Sequence, residues 1–195
     1  AVCEAEVADA VEAAGFQAVM TDPDLPSGSD RCLAAIAAAG LDAEIVVNLQ
    51  GDLPTIAPDA IRAAADLLRT PDTDIGTLAA PIADPAERDD PNVVKAVVAL
   101  ADGAAAGRAL YFSRAAVPAG DGPLLHHIGL YAWRRTALEA FVAAPPGVLE
   151  RRERLEQLRA LEMGMRIDCA IVDDTPLGVD TPADLEAARA WAART

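Results

Sequence analysis

Asp52 is the acid in this sequence best placed to do chemistry. It follows Asn48-Leu49-Gln50-Gly51 and precedes Leu53-Pro54. The run before it, Glu44 to Leu49, reads EIVVNL, short and apolar between polar residues, which is the pattern of a buried parallel strand. In an open α/β sheet, ligands bind just beyond the carboxyl ends of the strands. An acid one turn past such a strand sits where a metal ion or a phosphate binds. A second acid, Asp180 in Gly178-Val179-Asp180-Thr181-Pro182, lies past the last apolar run in the same way. Two carboxylates about 4 Å apart repel by roughly 4 kcal/mol at an effective dielectric near 20, so a bare pair shifts a pKa or takes up a cation. Oxygen ligands with open positions suit Mg²⁺ bound to substrate phosphates. Asp52 and Asp180 are therefore expected to form one metal-dependent catalytic site. The plainer alternatives are a turn cap for Asp52 and a helix start for Asp180.

Other residues offer recognition rather than reaction. Pro26-Ser27-Gly28-Ser29-Asp30-Arg31 joins a loop to a helix start, where Gly28 allows close backbone approach and exposed N–H groups favour an anion or a polar base edge. A simple helix cap by Ser27 or Ser29 is the alternative. Arg114 ends Tyr111-Phe112-Ser113-Arg114 and can fork onto a carboxylate, or serve in a surface ion pair. His127 and Tyr131 point to the same face of one strand by its period of two. Glu150, Glu153, Glu156 and Gln157 recur at helical spacing, the pattern of a solvated helix face.

The elements that must hold these residues alternate between helix and strand. Helices are expected over Val2–Ala14, Asp30–Ala39, Pro58–Leu68, Arg134–Ala143, Pro146–Met163 and Thr181–Ala193. Strands are expected over Phe16–Thr21, Glu44–Leu49, Ile75–Ile82, Val93–Leu100, Arg108–Ser113, His127–Ala132 and Arg166–Val172. Gly15 and Gly40 close the first two helices, and Thr181, Pro182 and Asp184 open the last with a capping-box pattern. Val93–Leu100 and Arg108–Ser113 read as a hairpin or a small inserted β-ribbon. This alternation predicts a single α/β domain over residues 1–195 with a mostly parallel mixed sheet between helices. The chain opens inside a helix, whereas doubly wound nucleotide-binding folds open with a strand and a phosphate loop.

Composition narrows the partners. The chain has 195 residues, 52% of them hydrophobic but only 4% aromatic, so its core is built mainly from Ala, Val, Leu and Ile. A net charge of -15 argues against a nucleic-acid backbone or an anionic membrane as partner. It leaves room for a small anionic ligand, because a metal ion and a few arginines reverse the field locally. Cys3, Cys32 and Cys169 lack CxxC spacing and read as thiols of a reducing, cytoplasmic compartment.

PSGSDR, NLQGDLP, ALYFSR, HIGLYAW, LERRERLEQLRALEMG and GVDTPADL occur in this order across nearly the whole chain. Together they resemble the 3-deoxy-manno-octulosonate cytidylyltransferases, the CMP-Kdo synthetases. The resemblance implies a Rossmann-like nucleotidyltransferase fold of the nucleotide-diphospho-sugar transferase type. It implies transfer of CMP from CTP to the anomeric hydroxyl of Kdo, with Mg²⁺, in lipopolysaccharide biosynthesis, and a homodimer. By the same resemblance Asp52 and Asp180 are the metal ligands, and Ser27, Gly28 and Arg31 belong to the nucleotide-side loop. Gln50, Arg114, His127, Tyr131, Glu156 and Gln157 line the sugar-acid pocket, with Arg114 on the carboxylate.

Two features depart from that family's pattern. Leu53 stands where the family usually has an acid. The opening strand and Arg/Lys-rich phosphate loop of the family have no counterpart here, so the 195-residue chain is expected to bind CTP weakly and to leave a sheet position open beside Glu44–Leu49. The alternatives are a cytidylyltransferase for another sugar acid such as sialate, and a non-catalytic module that keeps the fold and pocket for binding or dimerisation.

Overall fold

The computed structural model describes residues 1–173, 175–179 and 181–194. Its strands are β1 (Ile45–Asn48), β2 (Ile75–Pro81), β3 (Lys95–Ala99), β4 (Ala106–Ser113), β5 (Leu125–Arg134) and β6 (Ile167–Ile171). Its helices are α1 (Ala5–Ala13), α2 (Gly28–Ala38), α3 (Pro58–Asp66), α4 (Arg135–Ala143), α5 (Val148–Glu153), α6 (Gln157–Glu162) and α7 (Pro182–Ala192). The strands form one sheet in the order β1-β5-β2-β6-β4-β3.

The sheet is mixed, and its balance corrects the expected parallel majority. Only β2 and β6 pair parallel among the named strands, while β1–β5, β2–β5, β3–β4, β3–β5 and β4–β6 are antiparallel. The cause is β5, which inserts against the common direction of β1 and β2 and separates them. Alternation of apolar residues reports which face is buried and carries no information on strand direction. β3 and β4 pair as the expected hairpin, and it is part of the main sheet through β4–β6 and β3–β5. β1 forms one edge and, among the described residues, pairs with β5 alone.

Helices cover both faces. On one, Ile36, Val46, Ile75, Tyr131, Trp133, Leu138, Phe141 and Leu158 form the larger core. On the other, α3 packs Ala64 over Leu78, Ile128, Leu130 and Ala170. Each such buried Leu, Ile or Phe contributes about 1.5–3 kcal/mol relative to exposure. α3 approaches β2 closely at Gly76, where a Cβ would lie 2.1 Å from the carbonyl oxygen of Ala64, so glycine is required for this contact. Along β5 the period of two sends His127, Tyr131 and Trp133 to the larger core and Ile128, Leu130 and Ala132 to the smaller.

Two other elements differ from expectation. Phe16–Thr21 makes one parallel bridge, Val2 with Met20, and leaves Phe16 and Met20 exposed. A β-prone run becomes a strand only when a neighbour supplies a ladder. The helix expected over Pro146–Met163 is two helices, α5 and α6, broken at Arg154, whose φ of 55° is left-handed. No helix among the described residues is long and apolar enough to cross a membrane.

Candidate active site

The sheet edge at β1 builds the first part of the site. After Asn48 the chain turns, and Gln50, Asp52, Leu53, Gly129, Tyr131 and Glu156 line a cavity of about 310 Å³. Asp52 is exposed on its wall. Its carbonyl accepts from Val179 N at 2.9 Å, and Thr55 Oγ1 accepts from Leu177 N at 2.7 Å. These bonds bring the segment before Asp180 to the Asp52 loop. Asp180 itself lies outside the described residues. Thr181, next in sequence, caps α7 by accepting from Asp184 N at 3.3 Å.

The donors here suit Mg²⁺. Asp52, Gln50 and Glu156 offer oxygen, and Glu156 Oε1 is buried with no hydrogen-bond partner among the described residues. Those residues hold no group of three or more His, Cys, Asp or Glu that closes around a metal ion. Mg²⁺ keeps open positions for substrate phosphates and needs only one or two carboxylates from the protein.

The loop that carries Ser27 and Gly28 abuts this cavity. Ser27 caps α2, accepting from Asp30 N at 3.2 Å while donating to Asp30 Oδ2 at 2.5 Å. A Cβ on Gly28 would lie 3.2 Å from Asn48 Nδ2 and 3.6 Å from Gln50 Nε2, so the helix start rests directly on the end of β1. The buried Ser29 donates to Glu156 Oε2 at 3.3 Å, joining this loop to α6. Arg31 donates to Thr21 Oγ1 at 2.7 Å and to the Asp22 carbonyl at 3.1 Å, which ties down the preceding loop. Burial raises the Glu156 pKa above the usual carboxylate range, against the lowering effect of the Ser27 hydroxyl, Arg159 and the Ser29 hydroxyl.

Behind Tyr131 lies His127, with ring centroids 5.6 Å apart. Thr77 Oγ1 donates to the Leu130 carbonyl at 2.8 Å and sits 2.9 Å from His127 Nε2. With its proton committed, Thr77 accepts from Nε2–H, which leaves Nδ1 as an acceptor 3.5 Å from Gln157 Nε2. Burial, with a smaller push from His126, lowers the His127 pKa to about 3, so the imidazole is neutral at ordinary pH. Burial also raises the Tyr131 phenol, helped by the Glu156 carboxylate.

Arg114 stands apart from the Asp52 cavity. Its Nε donates to the Glu153 carbonyl at 2.9 Å, Nη1 to Pro91 at 2.8 Å and Nη2 to Arg154 at 3.4 Å. A guanidinium has five N–H groups, so two stay available for a ligand. Arg114 lines a cavity of about 630 Å³ with Pro91, Asn92, Arg152, Glu153 and Arg154. Between the two, a third cavity of about 500 Å³ shares Glu156 with the first and Arg154 with this one. The α5–α6 break is what lets successive residues face successive cavities. The sequence-predicted residues thus fall into two groups: Gln50, Asp52, Tyr131, Glu156 and, against them, Ser27, Gly28, His127 and Gln157; then Arg114 beyond the junction.

Sequence reasoning passed over Thr77 and Lys95, and read Glu153 only as part of a solvated helix face. Glu153 accepts from Ser113 Oγ at 2.9 Å and from Arg114 N at 3.1 Å, and so anchors the end of β4. Thr77 sets the His127 tautomer. Lys95 is buried beneath the turn before β3. A detectable signal existed only for Lys95, the sole lysine of the chain.

A mixed sheet between helices, with acid, amide and helix-start residues at one end, is the architecture of an α/β nucleotidyltransferase. The apo structure of UDP-glucose pyrophosphorylase shares this fold, with a TM-score of 0.60 at 16% identity over 92% of this chain and 64% of that one. A family model described as Cytidylyltransferase matches residues 2–167. The 3-deoxy-manno-octulosonate cytidylyltransferase of Paramagnetospirillum magneticum is 63% identical over 194 residues, 97% of this chain and 78% of that protein. That of Rhodospirillum centenum is 64% identical over 192 residues, 97% of this chain and 75% of that protein. A solved CMP:2-keto-3-deoxy-manno-octonic acid synthetase complexed with CTP superposes with a TM-score of 0.87 at 37% identity, covering 98% of this chain and 78% of that one. The chain belongs to the 3-deoxy-manno-octulosonate cytidylyltransferase family.

Proposed function

We propose that this protein transfers the cytidylyl group of CTP to the anomeric hydroxyl of Kdo, giving CMP-Kdo and diphosphate for lipopolysaccharide biosynthesis in the cytoplasm. The observation that carries this reading is the 63% identity, over 97% of the chain, to a protein of that name. The chemistry is in-line attack. The sugar oxygen bonds to the α-phosphorus while the bond from that phosphorus to the diphosphate oxygen breaks. Such transfer needs alignment and charge neutralisation more than covalent help.

The residues take roles that fit their surroundings. Asp52, with Asp180, would hold Mg²⁺, which supplies positive charge against the phosphates. Ser27 and Gly28 place the α2 amino end where its N–H groups can meet the nucleotide. Arg31 holds the loop before them. Gln50 and Tyr131 supply polar contacts to the sugar, and the neutral His127 holds Gln157 in register behind them. Glu156, buried and linked to Ser29, joins the nucleotide side to the sugar side. Arg114 directs its two remaining N–H groups to the sugar carboxylate. The protein acts as a homodimer in this reading, which light scattering after size exclusion tests.

The deciding experiment uses the enzyme expressed from its natural gene. Diphosphate release from CTP should require both Kdo and Mg²⁺, with CMP-Kdo identified by mass. Turnover of N-acetylneuraminate in place of Kdo would move the reading to another sugar acid. Binding of Kdo with no diphosphate release would favour a non-catalytic module.

A further inference from the structure

Lys95 is the only lysine in a chain whose other basic side chains, the histidines aside, are all arginine. It opens β3 and is fully buried. Its Nζ donates to the carbonyls of Asp90 at 2.6 Å, Val93 at 2.7 Å and Arg114 at 3.4 Å. A compact ammonium carries three N–H groups, and each has a carbonyl here. The planar fork of arginine could not converge on three carbonyls grouped in this way. Among the described residues Lys95 makes no ion pair. Burying an ammonium with no carboxylate in contact is costly, a cost the nearby Asp90, Asp89 and Glu87 offset only in part, and an apolar side chain would fill the space without it.

What Lys95 holds is specific. Two of its bonds close on the Asp90–Val93 turn, whose Pro91 carbonyl receives Arg114 Nη1 at 2.8 Å. The third holds the main chain of Arg114 itself. β3 makes this possible because Lys95 pairs with Ser113 on one side and His126 on the other, next to both the end of β4 and the start of β5. The lysine therefore fixes both ends of Arg114, the backbone from which it departs and a carbonyl on which its guanidinium rests.

We propose that Lys95 is the positioning residue of Arg114, so that preference for a carboxylate-bearing sugar depends on a lysine that never touches the sugar. This rests on the reading of Arg114 as the carboxylate partner. The test compares affinities for Kdo and for its C1 carboxamide, by titration calorimetry on the enzyme without CTP, so that no turnover occurs. The native enzyme should prefer the acid at least about tenfold, as expected for a charge-assisted fork over a neutral contact. Lys95→Met should cut that preference by about fivefold while CTP affinity stays within about twofold, because a misaimed fork acts as a point charge. General loosening would instead weaken both sugars and CTP alike, and that outcome overturns the proposal. Should Lys95→Met fail to fold by circular dichroism, Asp90→Ala carries the same test. It removes the Asp90 Oδ1 acceptor from Asn92 N, 2.8 Å away, and frees the turn that Lys95 grips. A folded variant of either kind with native acid preference overturns the proposal. An unchanged preference in Arg114→Ala, or none in the native enzyme, overturns the reading of Arg114 and this proposal with it.

Discussion

Asp52 is exposed, and its side chain supports none of the core, so charge can be removed there without loss of packing. Asp52→Asn should lower turnover at least about 10²-fold, since it withdraws negative charge from the position proposed to hold Mg²⁺. The melting temperature should stay within a degree or two, and a parallel drop in both would mean that Asp52 is structural. His127 gives a second residue-scale outcome. Its folded pKa is depressed to about 3, whereas the unfolded ring titrates near 6.5. The unfolded state then binds the extra proton between those values. Stability is full above about pH 6.5 and is lost as pH falls toward 3, by up to about 1.4 kcal/mol per pH unit from this group. His127→Gln, which keeps a neutral amide beside Thr77 and Gln157, should flatten that slope by about one proton in urea melts between pH 7 and 4. An identical slope would mean that the ring is hydrated in the folded protein.

The α5–α6 junction belongs to the scale of elements. Arg154 holds a left-handed φ of 55°, a conformation that costs a residue with a Cβ about 1–2 kcal/mol. Its carbonyl, not its side chain, receives Arg114. Arg154→Gly should therefore raise stability by about 1 kcal/mol in chemical denaturation, with the α5–α6 geometry kept. A loss of stability would show that the arginine side chain does more than occupy the turn. This junction also shows where sequence reading stops. Between Pro146 and Met163 the helical spacing runs on, and no Gly or Pro marks an end before Gly164. The contacts at the break come from a distance: Arg114, 40 residues away, donates to the Arg154 carbonyl, and Leu155 and Leu158 are buried. The Asp52 loop was legible because a β-branched run, a glycine and an acid are adjacent in the chain. The direction of β5 was not, since alternation is the same for either direction. Nor was the bond pattern around Arg114, whose partners lie on two distant stretches, Pro91 to Lys95 and Glu153 to Arg154.

For the whole molecule, the dominant number is the net charge of -15. Like charges repel across a compact chain, and salt screens them over about 10 Å at 0.1 M. Raising NaCl from about 10 mM to 150 mM should increase the melting temperature by a few degrees, and a decrease would mean that local ion pairs such as Arg159–Glu150 outweigh the repulsion. The same field opposes the approach of anionic substrates. Arg114, Arg152 and Arg154 around one cavity, together with the proposed Mg²⁺, would offset it locally.

A chain with a single lysine, and that one buried, has an unusual chemical surface. Reagents that acylate primary amines meet no exposed lysine on residues 1–195 of the folded protein. Lys95 becomes available only when the Asp90–Val93 turn lifts from β3 and releases the ammonium from its carbonyls. The rate of its acylation at low reagent, read by mass spectrometry, therefore clocks the opening of this one corner of the sheet. That rate should fall when Kdo is bound, if the sugar acid closes the same corner from the other side.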